Sequence, residues 1–349
     1  MLSHVQRLRA FARLGWHIRA FLDIQLPAEK QEYLLSAMRQ SVQENPWFTE
    51  ENIRFALKGV ASLLDEKLLE QWTSGYGFAA ANKPKRVAVV MAGNIPLVGF
   101  HDFLCVLMAG HRIIARLSSD DKVLLPALTR ILLDYEPSLS KFITFESGKL
   151  DSFDAVIATG SNNTARYFEY YFEKYPHIIR RNRNSVAVLS GSESQNDFLG
   201  LSKDIFMHFG LGCRNVTKVY LPKRLAPEDF IRLLPTPDGL MMHPKYANNY
   251  DYNKAVFLIN RTPFLDSGNF LFREETDFAS PVAVLNYEHY ENANLLCSEL
   301  KIAHNDIQCV VAAPDFCAGT VLFGEAQFPR LADYADGVDV LDFLVKIGL

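Results

Sequence analysis

The hydrophobic pattern divides the chain into two regimes. Residues 1 to about 80 place apolar side chains at helical spacing, as in Phe11, Leu14 and Ile18, and therefore predict helices. Thr49 stands before two glutamates and a further apolar stripe, so we expect it to cap a helix. The first 22 residues carry four arginines and no acid. Transit peptides and membrane-surface helices share that composition, but the apolar stripe favours a helix that docks on the rest of the protein.

Beyond Lys85, short apolar runs alternate with stretches of helical periodicity. Residues 86–91, 112–117 and 154–160 are predicted to be buried strands, with helices after each of them. Strands that alternate with helices of this length indicate a parallel α/β sheet. Further predicted strands are 142–145, 185–191, 217–221, 281–285 and 307–313, whereas 251–259 has a mixed pattern.

The length of 349 residues suggests about two domains. We predict a helical N-terminal segment (1–84), a first α/β domain (85–205), a second α/β domain that carries Cys213 (206–320), and a C-terminal tail (321–349). The tail is expected to pack back on the first domain. No repeat or low-complexity tract interrupts these parts of the sequence.

Composition and charge exclude several classes of protein. With 49% hydrophobic and 22% charged residues the chain is typical of globular proteins, and its net charge of -4 gives no general attraction to nucleic acid. No run approaches the roughly 20 apolar residues of a membrane span, so stable membrane insertion is not expected. The five cysteines form no CxxC pair, which predicts reduced thiols in the cytoplasm and neither a disulfide framework nor a zinc site.

Cys213 differs from the other four cysteines in its surroundings. It follows Gly210-Leu-Gly212, a turn after a predicted helix, where small residues let a substrate approach the sulfur closely. Arg214 comes next, and a cation near a thiol favours the reactive thiolate. A cysteine is more often a packing residue than a nucleophile, and the local pattern alone leaves that alternative open.

Two turns after predicted strands have the composition of ligand-binding turns. Gly93-Asn94-Ile95-Pro96 follows the first strand, and Asn94 there either donates its amide to a developing oxyanion or bonds the local backbone. Thr159-Gly160-Ser161 closes a strand and opens a helix, which suits either a phosphate site or a simple helix cap. The sequence contains neither GxGxxG nor GxxxxGK[ST], so the two usual nucleotide loops are absent from it.

These motifs, in this order, resemble the aldehyde dehydrogenase superfamily and, within it, the LuxC-type acyl-CoA reductases. The resemblance covers most of the chain from about residue 85 and rests on 93–96, 177–189, 209–215, 324–329 and 333–337. It implies an aldehyde dehydrogenase-like fold with two parallel-sheet α/β domains, of which the first binds NAD(P). Cys213 matches the nucleophile turn, and Asn94 matches the superfamily's Asn-containing turn. The residues that the resemblance assigns to the cofactor are Gly93, Arg116, Ser118, Thr159, Gly160, Ser161 and Glu275.

Two departures from the superfamily pattern bear on the reaction. Oxidising members carry a water-activating glutamate upstream of the nucleophile, and the corresponding stretch here, 175–181, has no acid. Without that base an acyl-enzyme should resist hydrolysis, so the resemblance implies reduction of an activated acyl group. Arg116 replaces a lysine, and Ser119 stands where an acid often lies near the adenine ribose. The loss of that acid favours NADP(H) and leaves NAD(H) open.

The implied reaction is acyl transfer from an acyl-CoA, or from an acyl-protein thioester, to Cys213, followed by hydride reduction to an aldehyde. His177 is a candidate proton shuttle and His208 a weaker one, with a structural role as the alternative for both. The competing hypotheses are an acyl-phosphate reductase of the glutamyl phosphate type and an acyl-holding carrier subunit that acts with a partner enzyme. A homo-oligomer is expected. The sequence does not fix the acyl chain length.

Overall fold

The computed structural model describes residues 2–78 and 84–348, which fold as two α/β units. The first unit runs to Arg181 and resumes at Arg330, and the second is Asn182–Pro329. The helices are α1 (His4–Leu22), α2 (Ala28–Glu44), α3 (Glu50–Leu63), α4 (Glu66–Thr73), α5 (Phe100–Met108), α6 (Leu124–Tyr135), α7 (Asn162–Phe172), α8 (Gln195–Phe206), α9 (Pro227–Leu233), α10 (Pro244–Asn260), α11 (Ala293–Ile302) and α12 (Val340–Gly348). The strands are β1 (Arg86–Val90), β2 (Arg112–Arg116), β3 (Ile143–Phe145), β4 (Ala155–Thr159), β5 (His177–Arg180), β6 (Asn184–Val188), β7 (Val216–Pro222), β8 (Leu265–Asp266), β9 (Leu271–Glu274), β10 (Val284–Tyr290) and β11 (Ile307–Ala312).

The sheet of the first unit is parallel throughout and has the strand order β3-β2-β1-β4-β5. Val87, Ala88 and Val89 of the central strand are fully buried, which explains the unbroken apolar run in the sequence. Because the strands are parallel, the turns after β1, β2 and β4 all lie at the carboxyl edge of the sheet. The strand order reverses between β1 and β4, so this edge is a topological switch point, where open α/β sheets bind ligands.

The N-terminal helices belong to the core of the first unit. Phe11, Leu14 and Ile18 of α1 are fully buried there, so the prediction of a docking helix is confirmed. Thr49 caps α3 by accepting the backbone N–H of Asn52, as the sequence predicts. The segment therefore shares one hydrophobic core with the first sheet.

The sheet of the second unit has the order β11-β6-β7-β10-β9-β8 and is parallel except for the β8–β9 pair. Every residue of β7 is buried. Lys218 of β7 stands directly opposite Asn286 of β10, and both are fully buried. Polar side chains inside a sheet need hydrogen-bond partners. Both side chains donate to carbonyl oxygens of the loop between β9 and β10.

Several elements differ from the prediction. The mixed stretch 251–259 lies inside α10, which Pro244 opens in its first turn. The strand predicted at 281–285 begins only at Val284, because Pro281 has no N–H to donate and Ala283 has a φ of 64°. The sequence pattern does not predict β5, which is only four residues long.

The boundaries of the units also differ from the predicted domain boundaries at 205/206 and 320/321. The strand β6 pairs with β7 and β11, so residues 182–205 belong with the second sheet. The C-terminal return begins at Arg330, because the buried Asp204 accepts N–H groups of Gly324 and Ala326 within the second unit. The predicted junction at residue 84 adjoins 79–83, which lie outside the described residues.

Cys297 of α11 and Cys317, which follows β11, form a disulfide. The prediction of five reduced thiols is therefore wrong for this pair, while Cys105, Cys213 and Cys309 keep their thiols. In the described part of the chain, no helix has the length and apolar character needed to cross a bilayer.

Candidate functional site

Cys213 lies between α8 and β7, directly after a left-handed turn. His208, Phe209 and Gly210 have φ values of 53°, 58° and 76°. Glycine adopts this conformation without strain, but residues with a Cβ persist in it only where their surroundings hold them. Cys213 itself is partly exposed. A partly exposed thiol after a strained turn is an arrangement that functional sites favour.

The buried amide of Asn215 holds this turn in place. Its Oδ1 accepts the backbone N–H of Gly212 at 2.8 Å, one residue before the cysteine. Its Nδ2 donates to the carbonyl oxygens of Asp204, Ile205 and Met207 at 3.0, 3.3 and 2.8 Å. The left-handed residues end the helical hydrogen-bond ladder, and the Asn215 amide bonds carbonyls at the C-terminus of α8. The side chain thus ties the end of the helix to the turn that precedes Cys213.

Ser185 of β6 fixes the backbone of Cys213 from the other side. Its hydroxyl donates to the Cys213 carbonyl oxygen at 2.9 Å. The same Oγ accepts the backbone N–H of Cys309 at 3.2 Å and lies 3.1 Å from the Cys309 sulfur. The Gly212 carbonyl oxygen accepts the backbone N–H of Asn215 at 3.0 Å, so each of the two peptide groups that flank Cys213 carries a hydrogen bond.

The side chain of Arg214 bonds the backbone of a segment far away in the sequence. Its Nε donates to the carbonyl oxygen of Ala326 at 2.6 Å. Asp204 accepts the N–H groups of Gly324 and Ala326 at 2.6 and 3.1 Å. Burial raises the pKa of Asp204 to about 7, against the opposing effect of these two N–H donors. Arg214 and Asp204 together fasten the segment 324–326 beside the end of α8.

His208 is buried at the start of the left-handed turn. Burial lowers the pKa of its imidazole to about 4, so the ring is neutral at pH 7. A neutral imidazole can accept a proton, but the buried position limits exchange with solvent. A catalytic role for His208 stays a prediction.

Four of the residues assigned to the cofactor lie at the carboxyl edge of the first sheet: Gly93, Ser118, Gly160 and Ser161. A Cβ atom on Gly93 would lie 2.6 Å from the Cβ of Ser118, so only glycine fits where the turns after β1 and β2 meet. The Asp121 carboxylate accepts the N–H of Leu97 at 2.7 Å and links the same two turns. Asn94 lies in the first of them. The structure thus brings the Gly93 and Ser118 turns together.

Ser161 is the N-cap of α7, and its Oγ accepts the N–H of Thr164 at 3.2 Å. The cap interpretation is confirmed, and contact with a phosphate stays a prediction. Thr159 ends β4, and Arg116 ends β2 and donates to the Gly148 carbonyl oxygen at 2.7 Å. A helix start, two serine hydroxyls and an arginine at a switch point form a donor set that fits the pyrophosphate and ribose of a dinucleotide.

Glu275 follows β9 in the second unit. Its carboxylate accepts the N–H of Thr276 at 2.9 Å and pairs with Arg273 at 2.9 Å. The Thr276 N–H, with help from the Arg273 charge, lowers the pKa of Glu275. The carboxylate is therefore ionised and oriented, as a ribose-binding acid requires.

His177 lies at the other end of the first sheet. It opens β5 beside Val156, whereas Thr159 at the carboxyl end of β4 pairs with Arg180. Its Nδ1 donates to the Tyr175 carbonyl oxygen at 2.8 Å, and its ring is exposed. Within the first unit, His177 is not brought together with the carboxyl-edge residues. A proton-transfer role for it stays a prediction that its position does not support.

Sequence reasoning missed the residues that brace these turns: Ser185, Asp204, Asn215, Lys218 and Asn286. A usable sequence feature exists for Lys218, because it is a charged residue inside a mostly apolar strand pattern. Asn286 follows the predicted strand 281–285 and precedes the polar Glu288, so its burial is not visible in the sequence. Ser185 and Asp204 have ordinary neighbours, and only the folded contacts reveal them.

The fold is similar to that of solved aldehyde dehydrogenases. Aldehyde dehydrogenase 21 from Physcomitrella patens, in complex with the reaction product succinate, shares 12% identity at a TM-score of 0.68, with 99% of this chain and 85% of that chain covered. An aldehyde dehydrogenase from Mycobacterium tuberculosis, complexed with NAD+, shares 14% identity at a TM-score of 0.56, with 86% and 73% covered. At these identities the likeness concerns the fold alone, and it confirms the predicted aldehyde dehydrogenase-like architecture. No curated protein sequence matches this chain.

The LuxC acyl-CoA reductase family matches residues 16–235, which is more than half of the chain. The chain belongs to the LuxC acyl-CoA reductase family. The predicted family is thereby confirmed, and this LuxC protein is an oxidoreductase that acts on aldehyde or acyl groups. The matched range includes Asn94, Ser161 and Cys213, whereas Glu275 lies beyond it. Within residues 2–78 and 84–348, no group of three His, Cys, Asp or Glu side chains is arranged to hold a metal ion.

Proposed function

We propose that this LuxC protein reduces a fatty acyl thioester to an aldehyde with NAD(P)H, through an acyl-cysteine on Cys213. The observation that carries the proposal is the braced turn, in which Asn215 and Ser185 fix the backbone around a partly exposed thiol. A fixed backbone holds the nucleophile in attacking geometry, and effective positioning of this kind supplies a large part of catalysis.

In the first step, the Cys213 sulfur forms a bond to the thioester carbonyl carbon, and the bond to the CoA sulfur breaks. The proton that Cys213 loses is taken up by the departing CoA thiolate. The proposed donors to the oxyanion are the Cys213 backbone N–H and, by resemblance, the Asn94 side-chain amide. The Gly212 carbonyl oxygen accepts the Asn215 N–H, and the Cys213 carbonyl oxygen accepts the Ser185 hydroxyl. These two bonds restrict rotation of the peptides on both sides of the nucleophile.

The nicotinamide cofactor, when bound, supplies the hydride that reduces the acyl carbon. The thiohemiacetal on Cys213 then releases the aldehyde and leaves the Cys213 thiolate, which takes up one proton from solvent to restore the starting thiol. Residues 175–181 contain no carboxylate to activate water, so the acyl-cysteine persists until it is reduced.

The cofactor assignment follows the resemblance, residue by residue. Thr159, Gly160 and Ser161 are proposed to hold the pyrophosphate at the start of α7, and Glu275 the nicotinamide ribose. Arg116 is proposed to favour NADP(H) over NAD(H), because its guanidinium lies exposed at the end of β2. The proposed acyl donor is acyl-CoA or an acyl-protein thioester from a partner enzyme, and the protein is proposed to work as a homo-oligomer.

The proposal is tested by Cys213→Ala, with NADPH oxidation followed against an acyl-CoA panel. Loss of the nucleophile is expected to lower turnover by at least about 1,000-fold, the range seen when an enzyme loses its nucleophile. Cys105→Ala is the matched control, because this buried cysteine lies in the first unit's core and should leave turnover within a few-fold. Turnover in Cys213→Ala close to that of the wild type would overturn the proposal.

The same assay separates the carrier hypothesis. A carrier would accept the acyl group on Cys213 but release no aldehyde when NADPH or NADH is added. The reductase must release about one aldehyde for each cofactor molecule oxidised.

A further inference from the structure

The loop between β9 and β10 is fastened through four consecutive carbonyl groups. Lys218 Nζ donates to the carbonyl oxygen of Thr276 at 2.6 Å, and Thr217 Oγ1 donates to that of Phe278 at 2.7 Å. Asn286 Nδ2 donates to the carbonyl oxygens of Asp277 and Ala279, both at 3.0 Å. Every peptide from 276 to 279 therefore has its carbonyl held by a buried side chain. We call residues 275–279 the clamped loop.

Lys218 makes the strongest of these contacts. Its side chain is 1% exposed, and its Nζ pairs with Glu288 at 2.7 Å as well as bonding Thr276. The ammonium group also lies 5.4 Å from the ring centroid of Phe278 and 4.9 Å from that of Tyr220. A charge buried this deeply is retained only when it is paired and hydrogen-bonded. Lys218 thus contacts the clamped loop at both Thr276 and Phe278.

The clamp extends to the carboxylate of Glu275. Asn286, which bonds the loop through Nδ2, accepts Nε of Arg273 on its Oδ1 at 3.3 Å. The other end of the Arg273 guanidinium pairs with Glu275 at 2.9 Å. The Glu275 N–H donates to the Tyr287 carbonyl oxygen at 3.0 Å, so the backbone of the loop's first residue is fixed as well. The position and the direction of the Glu275 carboxylate are therefore fixed by contacts with residues of the second sheet.

We infer that Lys218 is a positioning residue that sets the clamped loop, and with it Glu275, for the ribose of the nicotinamide cofactor. The inference rests on the proposed function, because that proposal assigns Glu275 to the cofactor. Lys218 touches neither the cofactor nor the acyl group in this account. Because Lys218 holds the loop in order before the cofactor binds, binding loses less conformational entropy, which is the general benefit of a preorganised site.

The test uses Lys218→Met, which keeps the length and apolar stem of the side chain and removes the ammonium group. Glu288, the partner left behind, is 40% exposed and stays solvated, so the substitution leaves no fully buried unpaired charge. We expect the Kd of the full-length protein for NADPH, measured by fluorescence without acyl-CoA, to rise about tenfold, equivalent to about 1.4 kcal/mol. Acylation of Cys213 by acyl-CoA without cofactor is expected to proceed at the wild-type rate. In turnover, KM for the cofactor should rise more than kcat falls.

Lys223→Met is the matched control. Lys223 follows the same strand and pairs with Glu291, which follows β10, but both side chains are exposed. The substitution makes the same chemical change just beyond the ends of the same two strands, and the ion pair that it removes lies outside the clamped loop. We expect its Kd for NADPH to be unchanged.

The outcomes separate the possibilities. If Lys218→Met binds NADPH as the wild type does, the inference is overturned while the proposed function stands. If cofactor binding, acylation and thermal stability all fall together, the residue is merely structural, and the inference is again overturned. If Lys218→Met does not fold, Thr217→Val decides the matter, because it removes one donor to the loop and should weaken NADPH binding about threefold. A wild type that binds neither NADPH nor NADH, and is not acylated, would overturn the proposed function itself.

Discussion

Replacing Asn215 by alanine tests how firmly this side chain holds the turn that precedes Cys213. The substitution removes the acceptor of the Gly212 N–H and the donor to three carbonyls of α8 and the residue after it. The amide has only two N–H bonds, so the three carbonyls share two protons, and about three full hydrogen bonds are lost. Each net hydrogen bond contributes about 1 kcal/mol, and a buried group left unsatisfied raises the loss.

We therefore expect Asn215→Ala to lower the free energy of unfolding by about 3 to 5 kcal/mol. Urea unfolding of the purified protein measures this value. The rate at which iodoacetamide alkylates Cys213 reports the geometry of the turn in the protein that remains folded. Asn249→Ala is the control, because Asn249 makes one partly buried hydrogen bond within α10 and should lose about 1 kcal/mol or less. A loss below 1 kcal/mol with unchanged alkylation would refute the bracing role of Asn215.

Three further predictions follow from other contacts. Asn94→Ala is expected to lower kcat about 100-fold or more, as loss of an oxyanion donor does, and a loss of only a few-fold would remove Asn94 from the mechanism. Burial raises the pKa of Asp204 in the folded protein to about 7 from its usual 3.8. Between these two pH values the folded protein binds more protons than the unfolded protein. The free energy of unfolding therefore falls by up to about 4 kcal/mol as pH rises from about 4 through 7. Urea unfolding at several pH values should therefore show less of this decline in Asp204→Asn, and identical pH slopes would contradict the assignment. The Cys297–Cys317 disulfide closes a 20-residue separation, so its reduction should lower stability by about 3 kcal/mol, and an equally stable Cys297→Ser, Cys317→Ser variant would contradict this.

The hydrophobic periodicity predicts most strands of the first sheet, because each of these strands is marked by its own run of residues. The strands β1, β2 and β4 are short apolar runs between helices, and Ser161 has the composition of a helix cap. The turn before Cys213 could also be predicted, because Gly210 and Gly212 lie in it. The left-handed φ values of His208 and Phe209 are not predictable in this way, because residues with a Cβ adopt them only where the surrounding fold holds them.

The contacts of the clamped loop could not be predicted from the sequence. Lys218 and the Thr276 carbonyl that it holds are 58 residues apart, and no periodicity relates them. The pairing of Cys297 with Cys317 likewise depends on how α11 lies beside the end of β11. Glu275 was assigned by resemblance, while the contacts that orient it came only from the folded second unit.

The central claim is that Cys213 carries the acyl group before hydride arrives. Its most direct measurement is mass spectrometry of the intact and digested protein after mixing with a panel of acyl-CoA thioesters, without cofactor. The account predicts one acyl adduct, located on the peptide with Cys213, which disappears with release of aldehyde when NADPH is added. An unmodified Cys213 in a protein that still turns over, or an adduct on Cys309 instead, would contradict it.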